Sequence, residues 1–189
     1  MKRFAILRNP DPKTTRADID AGAMDALLSL AGVQATPGEA YDPIVAGISW
    51  VRSYWAPGTS WGLCLYTGRD ETAIEEYHRL CEVPFVTIHE VDEVALADAA
   101  PYLPALSRTE PGILAIEAPT GGGTPGAETW TDLAPHWIRS YHDRALGTVV
   151  AAFRLDGLDL GAVEERAASE GWVLHRVVEI RPEEYLGGD

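Results

Sequence analysis

Polar and apolar positions alternate in two rhythms along this chain, and the order of those rhythms outlines its elements. Phe4-Ala5-Ile6-Leu7 is a short apolar run between Arg3 and Arg8, closed by Asn9-Pro10-Asp11-Pro12, turn chemistry that stops a strand. Ile19, Ala23, Leu27 and Leu30 then recur at helical spacing behind Thr15, a capping residue with Asp18 three positions on, and Gly32 ends the run. Gly47 to Trp55 and Trp61 to Tyr66 read as two strands around Ala56-Pro57-Gly58-Thr59-Ser60, the spacing of a β-hairpin. Asp70 caps a second helix with Ile74, Tyr77 and Cys81 on one face, and Pro84 marks its exit into a strand from Phe85 to Val91. The predicted order is βαββαβ, that of a ferredoxin-like unit with both helices on one face of an antiparallel sheet.

The pattern then repeats. Trp50-Val51-Arg52-Ser53-Tyr54 returns as Trp137-Ile138-Arg139-Ser140-Tyr141, Asp70 to Glu76 aligns with Asp159 to Glu165, and Ile88 to Val91 aligns with Val177 to Ile180. Gly112 to Glu117 stands for the first strand of the second copy, Asp159 caps its helix, Gly171 ends it, and Trp172 to Ile180 closes it. The stretch from Ala118 to His136 holds Gly121-Gly122-Gly123 and Thr124-Pro125-Gly126 and is too short for a full first helix. It reads as a flexible link or as a lid over a pocket. The expected architecture is α+β: ferredoxin-like repeat 1 over residues 1–93, a linker with helical patterning over 94–111, and a degenerate repeat 2 over 112–189. A bare apolar sheet face must be covered, so the repeats are expected to pack sheet to sheet as an α+β barrel, a monomeric pseudo-dimer or a homodimer.

Composition narrows the partners. The 189 residues are 46% hydrophobic, and 15 basic against 29 acidic residues give a formal charge of −14, which repels nucleic acid and anionic membranes alike. Cys64 and Cys81 make no disulfide framework and no Cys-x-x-Cys pair. The start of the chain lacks the long apolar stretch of a signal peptide, so a cytoplasmic location is expected.

Candidate chemistry lies in the repeated aromatic strand. Strict alternation puts Trp50, Arg52 and Tyr54 on one face and Val51, Ser53 and Trp55 on the other, and likewise groups Trp137, Arg139 and Tyr141. That face reads either as a pocket wall with Arg52 or Arg139 anchoring an anionic oxygen, or as a strand packed by aromatics with arginine stacked between them. As an enzyme it would use Arg52 or Arg139 on an oxyanion and Tyr54, Tyr141 or His142 to move a proton, without a cofactor, in an isomerisation, cyclisation or oxygenation. Among the five histidines, His136 and His142 read as one strand face but lie roughly 20 Å apart, too far to share an ion. Glu75, His78 and Glu82 stack at helical spacing and form the best local metal set.

Trp50-Val51-Arg52-Ser53-Tyr54, Gly62-Leu63-Cys64-Leu65-Tyr66, Ala73-Ile74, Pro84 and Ile88-His89-Glu90-Val91 resemble the small bacterial nickel-binding proteins of a ferredoxin-like domain family. The resemblance covers Gly47 to Val91 well and the second repeat more faintly, and it implies units that pair into a β-barrel and bind nickel or another divalent metal. The expected function is a small soluble protein that binds a metal ion or a small-molecule ligand. The alternative is the cofactor-independent α+β-barrel enzyme acting on a small, partly apolar substrate.

Overall fold

The first apolar run forms β1 (Lys2–Arg8), and the helical pattern after Thr15 forms α1 (Arg16–Ala35). Thr15 and Asp18 cap α1 reciprocally: the Thr15 N–H donates to the Asp18 carboxylate at 2.8 Å and the Asp18 N–H to the Thr15 hydroxyl at 3.3 Å. The hairpin strands are β2 (Ser49–Trp55) and β3 (Gly62–Gly68), followed by α2 (Glu71–Leu80), β4 (Thr87–Glu90) and β5 (Asp92–Ala95). The second half supplies β6 (Ile113–Pro119), a 3₁₀ turn (Ala134–His136), β7 (Trp137–Asp143), β8 (Thr148–Arg154), α3 (Leu160–Glu170), β9 (Val173–Ile180) and a last 3₁₀ turn (Pro182–Glu184). This computed structural model describes residues 1–35, 47–95, 110–120 and 133–185.

Two compact units emerge: Met1–Glu90 with Glu179–Asp189, and Val91–Val178. In the first, β4, β1, β3 and β2 lie side by side, every pair antiparallel. In the second the order is β9, β6, β8, β7 and β5, again antiparallel. The sequence-aligned strands therefore hold matching places, with β6, β7, β8 and β9 standing for β1, β2, β3 and β4. Helices match as well: Asp70 accepts from the Ala73 N–H at 2.9 Å and Asp159 from the Ala162 N–H at 3.2 Å. Gly68 leaves room for α2 on β3: a Cβ there would stand 2.8 Å from the Ile74 Cδ1, which would have to turn aside. The second unit's core is a continuous apolar cluster of Leu114, Ile116, Trp137, Phe153 and Val163 with their neighbours.

Several expectations shift. Val94 and Ala95, read as the start of a helical linker, lie in β5, where pairing with Ser140 and Arg139 of β7 supplies the hydrogen-bonding partners that a helix would have provided internally. Residues 96–109 of that linker, and Gly121-Gly122-Gly123 and Thr124-Pro125-Gly126, fall outside the described residues. α1 runs through Gly32 to Ala35, and His136 sits in a 3₁₀ turn ahead of β7, so it shares no strand with His142. Among the described residues, no helix is long and apolar enough to cross a membrane.

Candidate functional site

The decisive local feature of the aromatic strands is a β-bulge that the alternation rule does not anticipate. Trp50 stands opposite Tyr66 while Arg52 stands opposite Leu65, so Val51 is an extra residue in the ladder. The register in the second unit breaks in the same way, with Trp137 opposite Phe153 and Arg139 opposite Ala152. Past the bulge the faces exchange. Trp50 joins Ser53 and Trp55 on the face of Cys64 and Tyr66, leaving Arg52 and Tyr54 on the face of Leu65 and Leu63. A hydrogen bond seals each bulge: the Trp50 Nε1–H donates to the Ser53 hydroxyl at 3.0 Å, and the Trp137 Nε1–H to the Ser140 hydroxyl at 2.8 Å. The expected grouping of Trp, Arg and Tyr on one face is thereby corrected in both halves.

The other expected groups also take definite partners. Arg52 pairs with Glu179 at 3.2 Å, and the second oxygen of that buried carboxylate receives Arg181 at 3.1 Å. Arg139, also buried, lies 3.7 Å from Glu93. Both guanidiniums assigned to an oxyanion from the sequence thus face protein carboxylates. Tyr141 is buried on the Arg139 face, and His142 turns to the opposite face beside Val149, so the second-unit set is not brought together. Burial lowers the pKa of His142, with Asp92 opposing and Arg144 adding to the shift, and neither of its ring nitrogens has a hydrogen-bond partner among the described residues.

The metal set Glu75, His78 and Glu82 is not gathered either. Glu75 and Glu82 are exposed while His78 is 1% exposed and turned inward. Its imidazole is occupied at both ends: the Nδ1–H donates to the Ile74 carbonyl at 2.7 Å and Nε2 accepts from the Arg8 Nη2 at 2.6 Å. Among the described residues no three His, Cys, Asp or Glu side chains form a group able to hold an ion. The residues present do not fit nickel at this place.

What the first unit offers instead is a cavity of about 550 Å³ against the sheet face that the bulge hands to Trp50. Trp50, Trp55, Cys64 and Tyr66 form its floor, with Tyr54 also in the lining, while Ile19, Gly22 and Ala23 of α1 form one wall and residues 83–86 form another. Arg8, at the end of β1, and Asp18 are the charged residues of the lining. Around the inner end His78 makes edge contacts with Tyr66, Tyr77 and Phe85, at ring separations of 5.4, 5.1 and 5.5 Å. Burial first, and then the Arg8 charge, pushes His78 down to about 4; burial pushes Tyr77 up to about 12 and Tyr66 well above the ordinary tyrosine value. At neutral pH these rings are uncharged, and Arg8 is the cation among them. Sequence reasoning passed over Arg8 as the residue that interrupts an apolar run. The available signal was an arginine at the inward register of a strand, opposite Gly62, whose lack of a side chain leaves room beside it.

Comparison with known proteins gives a family match and two distant structural likenesses. Residues 26–91 match the family described as nickel responsive protein SCO4226-like, a segment that contains Gly47 to Val91, over which the sequence resemblance was read. No curated protein matches the chain. A putative monooxygenase from Lactobacillus acidophilus NCFM is similar at 8% identity over 95% of this chain and 94% of that one, with a TM-score of 0.41. An anthrone oxidase-like protein is similar at 13% identity over 100% of this chain and 97% of that one, with a TM-score of 0.37.

Proposed function

We propose, from the segment that matches the nickel-responsive family and walls the cavity, that this protein binds a small, partly apolar ligand inside its first unit. The observation that carries this reading is the cavity: about 550 Å³, floored by aromatic rings and bounded by a helix that presents a glycine to it. Sites for small organic ligands are concave, mostly apolar and few-pointed in polarity, and pockets of some 300–1,000 Å³ suffice for them. The equivalent sheet face of the second unit carries Leu114, Ile116, Trp137 and Phe153, packed in one cluster with Leu133. Duplication of a ferredoxin-like unit, with one copy keeping a cavity and the other packing the matching face among its described residues, is the history we read in this difference. Nickel response belongs to the name of the matched family. No step of the present reading runs through nickel, because His78 has committed both ring nitrogens.

Neutral N-phenyl-1-naphthylamine, whose emission rises in apolar surroundings, tests the proposal. The expected result is saturable binding at one site per chain, weakened by about tenfold or more in Gly22→Leu, which fills the cavity from a helix position with nothing within 4 Å of its Cβ. Unsaturable emission, or binding untouched by Gly22→Leu in a protein of unchanged circular dichroism, overturns it.

A further inference from the structure

We propose that the ligand of this cavity is a mono-anion with a flat apolar body, its charged group received by Arg8; the inference rests on the cavity being a ligand site.

Charge pairing carries the argument. Eight arginines of this chain, Arg16, Arg52, Arg69, Arg79, Arg139, Arg144, Arg176 and Arg181, stand in ion pairs with carboxylates. Arg8 does not. Its guanidinium is half-buried and lines the cavity, yet its hydrogen bonds go to neutral acceptors, the Pro84 carbonyl and the His78 Nε2, and among the described residues no carboxylate lies within ion-pair distance of it. In a protein with 29 acidic residues against 15 basic ones, a partly desolvated cation without an acid beside it is costly, and an incoming anion removes that cost. A guanidinium presents five N–H donors in a planar fork, so two bonds to protein acceptors leave donors for a carboxylate or an enolate oxygen.

The surroundings restrict the anion to one charge. His78 is neutral at physiological pH and shows its lone pair to Arg8, which holds the guanidinium in place and adds no second positive charge. Asp18, the acid of the lining, is exposed and bound to Thr15, whose hydroxyl and N–H lower its pKa, so it stays ionised and disfavours a second negative group nearby. Trp50, Trp55 and Tyr66 supply planar apolar surface for the body of the ligand. Phe85 and Val86, which line the cavity while remaining 40% and 52% exposed, give its rim an apolar approach.

Calorimetric titration of the wild-type protein with 2-naphthoate and with 2-naphthamide, near-isosteres that differ in charge, tests the inference. We expect naphthoate to bind about tenfold or more tightly than naphthamide, since a charge-assisted pair is roughly twice as strong as a neutral hydrogen bond. Arg8→Gln should abolish that preference with amide binding intact, and Arg8→Lys should retain part of it. Equal affinities, or a tighter amide, in the wild-type protein overturn the anionic inference and leave the cavity reading standing. Binding of N-phenyl-1-naphthylamine without binding of either naphthalene also overturns the inference alone, whereas failure of all three probes overturns both. Should Arg8→Gln not fold, the wild-type comparison and Arg8→Lys decide the matter.

Discussion

His78 is a buried histidine kept neutral, and that state ties the stability of the first unit to pH. Its pKa is about 4 in the folded chain against 6.5 for an ordinary exposed histidine, so the unfolded chain binds the proton first. The contribution is therefore present above pH 6.5 and is lost as pH falls from 6.5 towards 4. Denaturant titration at pH 7 and pH 4.5 should show a drop of about 2 kcal/mol that is absent from His78→Gln, over and above the loss from carboxylates common to both. The bulge-sealing serines make a second residue-scale test. Ser53→Ala and Ser140→Ala each strand a buried indole N–H and should each cost about 1–3 kcal/mol, and unequal penalties would mean that the two bulges are not equivalent.

At the scale of elements, the two matching helices end in the same motif with different residues. In α2 the Val83 N–H reaches the His78 carbonyl at 2.9 Å and the Glu82 N–H the Arg79 carbonyl at 3.3 Å, with Glu82 left-handed at φ 54°. In α3 the Trp172 N–H reaches the Ala167 carbonyl at 2.9 Å, and the left-handed residue is Gly171 at φ 71°. Glu82→Gly relieves the steric cost of a side chain there and should raise stability by about 1 kcal/mol in thermal or chemical unfolding; a loss would show that the Glu82 side chain contributes more than its strain removes. Gly22 presents the opposite case. A helix-interior glycine with open space around its Cβ position costs about 0.5–1 kcal/mol relative to alanine, so Gly22→Ala should be the more stable protein, with probe affinity little changed. The caps at Thr15, Asp70 and Asp159 and the Gly171 end of α3 were legible in the sequence because they depend on residues within one turn of each other, whereas Gly32 does not end α1 and the left-handed Glu82 gave no sequence signal. The bulge was not legible either, since an extra residue in a ladder is defined only against the strand opposite.

The first unit is discontinuous in the chain, closing with residues that follow the whole of the second unit. Glu179 takes Arg52, Glu184 takes Arg16 at 3.0 Å, and the Tyr185 hydroxyl donates to Asp20 at 2.5 Å while its ring lies 6.2 Å from that of Trp50. Truncation after Val178 should therefore lower the melting temperature by about 10 °C and speed amide exchange in α1, and an unchanged first unit would mean that this clasp is ornamental. The amino-acid sequence by itself determined most of the order of elements, the recurrence of the aromatic strand motif, the helix caps and the acidic balance, because each follows from local periodicity or from counting. It drew attention to Arg52 and Arg139, which stand out by repetition. Only the tertiary structure decided that Glu179, 127 positions from Arg52, and Glu93 pair with those groups, and that Arg8 meets the cavity with no carboxylate within ion-pair distance among the described residues. Charge pairing is set by which strands lie side by side, and a linear pattern does not contain that distance.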